Sequence, residues 1–465
     1  MSTTRQEKDS LGFVAVPAAA LYGAQTARAI ENFPISGLRA SPFLIRAIAF
    51  IKLAAARASG DLGLITPDQS RAIQQAAQEV LDGQHLDQFV VDVFQAGAGV
   101  SFHMNTNEVL ANRASQLLGG ALGTYDKVHP NDHVNYGQST NDVFPTAMRL
   151  ATLLALCDLY AVLDSLAEGL DLKAAEFDNI LKSGRTHMQD AVPIRLGQEF
   201  AAYAVAIRRT HTAIAQSSDN LRELGLGGSA VGTGINTHPD YRFRAIAYLT
   251  NLTNEPLTPA EDMRYAMQSC APMATVSGAL RTLALEVIRI SNDLRLLASG
   301  PNTGFREIDL PGLQPGSSIM PGKVNPVLPE LAAMVGFQVV GNDTAVALAV
   351  QAGQLELNVM MPTMAHNVLQ SITILTNTLR ELDHRCIRGI TANADRCAFY
   401  AQSTVSLATA LNPYIGYARA AQVVKESIST GRSIIDLVRE QELLTDDQIA
   451  TILDARAMTE PREKQ

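Results

Sequence analysis

The chain of 465 residues is 47% hydrophobic and 18% charged, a balance that predicts a globular protein with a large core. Aromatic residues make up only 5% and tryptophan is absent, so the core must consist of Ala, Leu, Ile, Val and Met, which favours packed helices over a β-sandwich. The net charge of −9 argues against a nucleic-acid surface, but it is compatible with a locally positive site for a small anion.

Residues 1–140 form the first predicted domain, in which short helical runs alternate with turns. An Ala-rich helix is predicted over 42–59, and another helix begins with Thr66 as its N-cap and Pro67 in its first turn. The polar N-terminus has no signal-peptide core, and the cysteines show neither CxxC nor metal-ligand spacing. These features predict a cytoplasmic protein with reduced thiols.

Residues 141–395 form the second predicted domain, a long helix bundle. Segments poor in Gly and Pro lie near 142–178, 196–223, 264–299, 327–352 and 358–388, and each exceeds the usual helix length of about 11 to 12 residues. The most apolar stretch, 147–163, contains Arg149 and Asp158, which predicts a buried helix and not a membrane span. Residues 396–465 form a small C-terminal helical domain, in which Thr445 and Gln448 fit an N-cap and a third helical position.

One bundle helix is apolar over most of its circumference. Val335, Val339, Val346 and Leu348 are examples within the segment 327–352. Such a helix must be buried on several sides, which predicts that the bundle continues across the subunits of a homo-oligomer. A thick monomeric core is the alternative.

Four polar, Gly-rich segments interrupt the helical pattern, at 97–108, 137–142, 184–190 and 316–326. Each is predicted to lie shortly before a helix, where free backbone N–H groups and the positive end of the helix dipole bind carboxylates. Any one of them alone fits an ordinary helix cap. Four together, rich in Ser, Thr, Asn and Gly, predict a site for an anionic substrate.

The most specific of these is the segment 316–326, Gly-Ser-Ser-Ile-Met-Pro-Gly-Lys-Val-Asn-Pro, which we call the Ser317 loop. Gly316 and Gly322 permit backbone geometry that other residues disfavour, and prolines in and around the loop stiffen its path. Lys323 is the cation within it. The loop is therefore predicted to close over a dicarboxylate, although its glycine and proline content alone also fits a plain surface loop.

The Ser317 loop resembles the signature of the aspartase/fumarase superfamily, and the resemblance extends from about Leu21 to Gly431. The segments that resemble aspartate ammonia-lyases in particular are 87–89, 93–99, 104–109, 353–360 and 389–393. The segments 143–148 and 232–239 read equally well as class II fumarase. The chain is thus most similar to aspartate ammonia-lyases, and a class II fumarase acting on malate and fumarate is an alternative.

The resemblance implies an all-α fold, with a long central helical bundle completed by tetramerisation and smaller N- and C-terminal helical domains. Each active site of the homotetramer would draw loops from three subunits. Four residues would be catalytic, namely Ser317 as the general base, His187, Lys323, and Glu330 as the carboxylate that orients His187. The residues implied in substrate binding are Val100, Ser101, His103, Ser139, Thr140, Asn141, Thr186, Ser318 and Asn325. A secondary dicarboxylate site is implied at His129, Asn131 and Asp132.

The chemistry of such a site follows from the weak acidity of the proton that is removed. That proton lies α to a carboxylate, and its removal places two negative charges on the carboxylate in an aci-acid intermediate. Fixed donors such as the Ser318 N–H, Lys323 and Asn325 stabilise this charge, and losing one donor costs about 3 kcal/mol. Neighbouring N–H groups and Lys323 would favour the Ser317 alkoxide. No metal or organic cofactor is predicted, since no His, Cys or Asp cluster has ligand spacing.

Three residues depart from the family pattern at this site. Val100 stands where the family usually carries a Thr that contacts substrate, His103 where it carries Asn, and Tyr136 where aspartases carry Lys. One missing hydrogen bond to a buried carboxylate or amine costs about 1–3 kcal/mol, whereas His103 is expected to add positive charge below about pH 6.5. The departures suggest a modified or N-substituted aspartate as substrate, although compensated variation in an ordinary aspartase is preferred.

Two other classes of protein compete with this prediction. A non-catalytic helical tetramer recruited from a lyase is disfavoured because Ser317, Lys323, Asn325 and His187 are all present. Argininosuccinate- and adenylosuccinate-type lyases share the chemistry, but the aspartase-like residues across 353–393 disfavour them. The predicted partners are a small dicarboxylate or amino-acid substrate and further copies of the chain, without nucleic acid or membrane.

Overall fold

The computed structural model describes residues 3–461, and α-helices dominate it. The first helices are α1 (Ala24–Asn32), α2 (Pro42–Asp61), α3 (Pro67–Leu81) and α4 (Val100–Leu117). The helix predicted over 42–59 is confirmed as α2. The predicted start at Thr66 is also confirmed, because Thr66 and Gln69 form a capping box in which each side chain accepts the other residue's backbone N–H.

The long helices predicted for the central region are present. They are α5 (Thr140–Glu176), α6 (Leu196–Ser218), α9 (Ala271–Leu297), α10 (Val327–Gln351) and α11 (Met361–Arg385), with the shorter α7 (Tyr241–Thr253) and α8 (Met263–Gln268) before α9. The single helix expected over 264–299 is wrong, because Ser269 is extended and separates α8 from α9. Pro272 fits the new start, since proline is favoured in the first turn of a helix.

Short strands, which the residue pattern does not predict, accompany the helices. β1 (Thr4–Asp9) and β2 (Gly12–Pro17) form an antiparallel hairpin, as do β3 (Leu181–Thr186) and β4 (Gln189–Arg195). β5 (Glu223–Leu224) pairs with β6 (Thr258–Pro259) in parallel, and β7 (Ile308–Asp309) pairs with β8 (Thr391–Ala392) antiparallel. The all-α class is confirmed nevertheless, because the longest of these strands has 7 residues and the helices make up the core.

The C-terminal region consists of short helices, and those after Ser403 pack around a core of their own. They are α12 (Ala394–Ser403), α13 (Asn412–Ile415), α14 (Tyr417–Thr430), α15 (Ile434–Glu440) and α16 (Asp446–Ile452). Leu411, Val423 and Leu437 are buried in this core. The predicted N-cap at Thr445 is confirmed, again as a capping box with Gln448.

The chain divides into two compact units. The first unit contains Met1–Tyr160, Thr212–Ala284 and Phe337–Thr376, and the second contains Ala161–His211, Leu285–Gly336 and Asn377–Gln465. Each of the five long helices contributes residues to both units. The predicted domains, 1–140, 141–395 and 396–465, are continuous stretches of sequence, whereas each compact unit combines three separate stretches. The three domains therefore stay a prediction.

Among the described residues, two helices, α5 and α10, are long and apolar enough to cross a membrane by length and composition alone. In the most apolar window of α5, 61% of the residues are buried within the fold, against 39% in α10. Arg149 of α5 is itself buried and donates to the carbonyl of Glu223. These observations agree with the prediction of a buried core helix for α5, whereas α10 keeps an exposed apolar surface.

Candidate active site

The Ser317 loop is an irregular segment that ends at the start of α10. The Ser317 hydroxyl oxygen accepts hydrogen bonds from the backbone N–H groups of Ile319 (3.2 Å) and Met320 (3.0 Å). Donors directed at this oxygen stabilise its ionised form, which is the form that a serine base needs. Two N–H groups of the loop thus reach the Ser317 oxygen, and the role of Ser317 as general base stays a prediction.

Backbone contacts close the loop on itself. The Gly316 N–H donates to the Lys323 carbonyl at 2.7 Å, and the Asn325 side-chain amide donates to the Gly316 carbonyl at 2.8 Å. A side chain at position 316 would lie 2.7 Å from that Lys323 oxygen, so glycine is required there. Ser318 and Lys323 are exposed at the outside of the closed loop, where they can meet a ligand.

A cavity of about 780 Å³ in the second unit adjoins the C-terminal half of the Ser317 loop. Its lining brings together Lys323, Asn325 and Glu330 from the predicted site, and it also includes Arg295 and Arg306. Glu330 lies in the first turn of α10. Three of the predicted residues thus line one cavity with Arg295 and Arg306, and Arg306 is paired with Asp309 in the same lining.

The segment 184–190 lies in the hairpin β3–β4 and includes its tip, and α6 begins shortly after it at Leu196, as predicted. Thr186 pairs with Gln189, so His187 and Met188 form a two-residue turn in which both have positive φ, 54° and 59°. Residues other than glycine rarely adopt this conformation. The turn holds Thr186 and His187 at the exposed tip of the hairpin.

Buried ion pairs anchor this hairpin below its tip. The Glu307 carboxylate is fully buried and pairs with Lys182 (2.8 Å) and Arg185 (2.9 Å) of β3. Lys182 also pairs with Glu199, whose pKa is raised by burial against the opposing effect of Lys182. The Arg185 guanidinium lies 4.2 Å from the centre of the Phe305 ring. These contacts fix the strand that carries Thr186 and His187, a support that the sequence did not indicate.

No hydrogen bond joins His187 to Glu330 within the part of the chain that the structure describes, residues 3–461. Both residues belong to the second unit. His187 lies exposed at the hairpin tip and Glu330 lies on α10. The role of Glu330 in orienting His187 therefore stays a prediction.

The other predicted residues belong to the first unit. Val100 is the first residue of α4 and is 41% exposed, whereas Ser101 and His103 are buried within that helix. The polar segment 97–108 is thus mostly helical, and the expectation that it precedes a helix holds only for 97–99. Gly99 caps α4 with a φ of +84°.

The start of α5 is held by a network around Asp142. The Asp142 carboxylate accepts the N–H groups of Ser139 (2.9 Å), Gly227 (2.9 Å) and Ser229 (3.2 Å). Burial raises the pKa of Asp142 to about 6, against the lowering effect of these hydrogen bonds. Asp142 thereby fixes the segment Ser139–Asn141. Asp142 belongs to the polar segment 137–142, but its sequence context did not predict this role.

Asn141 has a defined amide orientation. Its side-chain nitrogen donates to the Ala230 carbonyl at 2.9 Å, because a carbonyl can only accept. The Asn141 side-chain oxygen then remains as the acceptor of this amide. Such an oxygen suits a substrate amine or hydroxyl, as predicted for position 141.

His103 lies in a buried cluster with Lys52. The Lys52 ammonium nitrogen lies 2.8 Å from His103 Nε2, and His103 Nδ1 lies 2.7 Å from the Thr140 hydroxyl. Burial lowers the pKa of His103 well below its usual value, and the Lys52 charge adds to this effect. The expectation that His103 gains positive charge below about pH 6.5 is therefore wrong, because the ring is desolvated beside a cation.

Lys52 is a site residue that sequence reasoning missed. Burial lowers the pKa of Lys52 to about 7, while Asp142 opposes this shift. The available signal was a single lysine in the apolar helix α2, between Ile51 and Leu53. Because a lysine on a helix is usually solvated at its tip, that signal alone did not indicate burial.

The predicted secondary site lies on the short helical turn Pro130–Val134. The His129 ring nitrogen Nδ1 accepts the backbone N–H groups of Asn131 and Asp132, both at 3.3 Å. It also lies 3.4 Å from the Asp132 carboxylate. The three residues are thus brought together at the surface, and their use as a dicarboxylate site stays a prediction.

Within residues 3–461, no group of three or more His, Cys, Asp or Glu residues is arranged to hold a metal ion.

The long helices and the Ser317 loop together define a lyase of the helix-bundle class. A family model described as Lyase matches residues 12–341, and one described as Fumarase C C-terminus matches residues 407–460. The chain therefore belongs to the aspartase/fumarase superfamily, which confirms the predicted family. The expectation of an enzyme, and of a carbon–nitrogen lyase, is confirmed by the relatives described next.

The relatives include aspartate ammonia-lyases and a class II fumarase. The aspartate ammonia-lyase of Bacillus subtilis (strain 168) is 46% identical over 457 residues, which covers 98% of this chain and 96% of that protein. The crystal structure of fumarate lyase:delta crystallin from Brucella melitensis bound to cobalt has a TM-score of 0.96 and 44% identity, covering 98% of this chain and 100% of that one. The class II fumarase from Schistosoma mansoni also has a TM-score of 0.96, at 37% identity, covering 99% of this chain and 100% of that one.

Proposed function

We propose that the chain is an aspartate ammonia-lyase, which reversibly eliminates ammonia from L-aspartate to give fumarate. The observation that carries the proposal is the Ser317 oxygen, which accepts two backbone N–H groups in a loop closed through Lys323 and Asn325. The relatives named aspartate ammonia-lyase, 46% identical over 98% of the chain, support the choice of ammonia as leaving group.

The reaction begins with removal of the proton on C3 of aspartate. The Ser317 alkoxide takes this proton, and the C–H electron pair moves into the neighbouring carboxylate, which becomes an aci-carboxylate. Lys323, Asn325 and the Ser318 N–H donate to that group, where preorganised donors contribute most. The electron pair then forms the C2–C3 double bond as the C2–N bond breaks, and ammonia leaves with the electrons of that bond.

Asn141 supports an amine as the leaving group. Its nitrogen is committed to the Ala230 carbonyl, so its oxygen is presented as an acceptor. An ammonium group has three donors and no acceptor, and it therefore suits this oxygen. A malate hydroxyl could also donate there, which keeps class II fumarase as an alternative that must be tested.

We also propose that the active enzyme is a homotetramer with composite sites. The apolar side chains of Met334, Phe337 and Leu348 on α10 are 58%, 61% and 61% exposed. Large exposed apolar side chains along one helix are typical of an interface. A cytoplasmic location, a small dicarboxylate substrate and a second dicarboxylate site at His129 belong to the same proposal.

A modified or N-substituted aspartate is a second candidate substrate. Val100 favours it, since this residue exposes an apolar surface at the start of α4. An added alkyl group on the amine would gain apolar contact there, whereas a free ammonium would not.

The test is to incubate the purified protein with fumarate, once with an excess of ammonium and once in water alone. We expect aspartate in the first reaction and no malate in the second, with both products identified by NMR. Malate in the second reaction would favour fumarase instead. Methylamine in place of ammonium tests the second candidate, which requires N-methylaspartate to form faster than aspartate.

A further inference from the structure

Lys52 has a fixed set of partners although no solvent reaches it. Its ammonium nitrogen lies 3.0 Å from the Asn135 side-chain oxygen, 2.9 Å from the Gln138 side-chain oxygen and 2.8 Å from His103 Nε2. Both amides are oriented by further contacts, because Asn135 donates its nitrogen to the Gln138 carbonyl and Gln138 donates its own to the Val134 carbonyl. Two oxygens therefore face Lys52.

The hydrogen-bond count assigns the tautomer of His103. An ammonium group has three donors and no acceptor, so its third partner, His103 Nε2, must accept. A neutral imidazole carries its proton on the other nitrogen, Nδ1. That N–H then donates to the Thr140 hydroxyl oxygen at 2.7 Å. The Thr140 hydroxyl proton is therefore directed away from His103.

Thr140 is the first residue of α5 and is only partly buried. It lies between Ser139 and Asn141, in the segment that Asp142 fixes. The Thr140 hydroxyl accepts the last hydrogen bond of a series that begins at the Lys52 ammonium. It becomes a stronger donor, because successive hydrogen bonds polarise one another. A carboxylate placed at Thr140 would receive this donor.

We propose that Lys52 and His103 are positioning residues, which direct the Thr140 hydroxyl as a donor to a carboxylate of the substrate. This inference rests on the proposed function, which supplies the dicarboxylate. The positive charge of Lys52 thereby acts on the ligand through two hydrogen bonds, although the ammonium itself stays buried.

When Lys52 loses a proton, the direction of the hydrogen bonds from Lys52 through His103 to Thr140 is reversed. A neutral amine donates to the two amide oxygens and accepts from His103 Nε2–H, so Nδ1 becomes an acceptor for the Thr140 hydroxyl. The donor then points inward. Burial lowers the pKa of Lys52 to about 7, so this reversal falls near neutral pH, and affinity for a carboxylate decreases as the pH rises through that value.

The charged and titratable groups that face Lys52 come from three other helices. His103 of α4 stays neutral, because its pKa is lowered well below the usual value. Asp142 of α5 has a pKa raised to about 6 and is mostly ionised above it. Tyr241 of α7 is buried beside Asp142 with a raised pKa and stays protonated. Between about pH 6.5 and 8.5, Lys52 is thus the member of this group whose charge changes most, while Asp142 completes its ionisation at the lower end of that range.

The first experiment leaves Lys52 and His103 unchanged. Binding of succinate, a dicarboxylate without a leaving group, is measured by calorimetry between pH 6.5 and 8.5 for the wild type and for Thr140→Val. We expect the wild type to lose affinity about tenfold as the pH rises and Thr140→Val to show less than a twofold change. Equal pH dependence in both proteins would overturn the proposal.

The second experiment is a double-mutant cycle at pH 6.5 with Lys52→Met, Thr140→Val and the double variant. We expect Lys52→Met to weaken succinate binding about tenfold when Thr140 is present, and less than twofold when it is added to the Thr140→Val variant. Equal losses in both backgrounds would contradict the relay. Thr152→Val on α5 is the matched control, because the Thr152 hydroxyl donates to the Met148 carbonyl of its own helix.

Failure of the proposed function is distinguishable from failure of this inference. A protein that converts no L-aspartate but shows the coupled succinate binding would refute the function and support the relay. A protein that converts L-aspartate but shows no coupling would do the reverse.

Discussion

Gly99 sets the position of Val100 and the start of α4. Its φ of +84° lies in the left-handed region, and a Cβ atom there would lie 2.2 Å from the Phe144 ring. Phe144 is buried on α5, where the ring packs edge-on against Phe102. The glycine thus allows the chain to approach the helix that carries Thr140 and Asn141.

Gly99→Ala is therefore expected to destabilise the protein beyond the backbone cost alone. The left-handed conformation costs an alanine about 1–2 kcal/mol, and the overlap with Phe144 adds about 1–3 kcal/mol. Gly63→Ala is the control, because Gly63 has a φ of +68° with no atom within 4 Å of the added Cβ. Urea unfolding measures both, and equal losses would show that the contact with Phe144 has no role.

The site residues that the sequence identified lie close to their partners along the chain, whereas the residue that it missed lies far from its partners in sequence. Ser317, Lys323 and Asn325 belong to one short loop, so their common site was visible as a motif. Lys52 contacts His103, which lies 51 positions further along the sequence, and Asn135, which lies 83 positions further along. Such pairing depends on the packing of separate helices, and no local pattern contains it.

At the scale of elements, the hairpin β3–β4 was not predictable from its turn. Two-residue hairpin turns usually carry Asn-Gly or a similar pair, whereas this one has His187 and Met188. Its stability comes instead from Glu307, which lies 122 residues from Arg185. The hairpin therefore depends on tertiary ion pairs rather than on turn propensity.

Glu307→Gln is expected to destabilise the protein by about 3–5 kcal/mol, because Lys182 and Arg185 lose the shared charge of a buried partner. The Michaelis constant should also rise, since the hairpin carries Thr186 and His187. Glu286→Gln is the matched control. It removes an exposed pair with Arg289 on α9 and should cost less than about 1 kcal/mol. Denaturant midpoints of the two variants test this, and similar values would contradict the anchoring role of Glu307.

At the scale of the whole molecule, the bundle was predictable because long segments with few Gly or Pro residues are a strong signal. The break before α9 was missed because Pro272 also fits the first turn of a helix, and only the extended Ser269 shows where the preceding helix stops. The oligomer was inferred from apolar residues around α10. The exposed apolar side chains of that helix are consistent with the inference, and the oligomer stays a prediction.

Phe337→Glu is expected to dissociate the oligomer, because it places a charge on the exposed apolar surface of α10. The wild type should sediment well above the 49.9 kDa of one chain, and the variant should shift toward that mass with loss of activity. Phe337→Leu keeps the surface apolar and should retain the oligomer. A wild-type protein that sediments as a monomer with full activity would refute the composite site.

The central claim is that Ser317 removes the proton in an ammonia-lyase reaction. The most direct measurement follows fumarate by its absorbance when the wild type and Ser317→Ala are given L-aspartate. We expect steady formation of fumarate with an equal amount of ammonia by the wild type, and a rate lower by about 10³-fold in the variant, because the base is lost. Absence of fumarate with the wild type, or full activity of Ser317→Ala, would contradict the account.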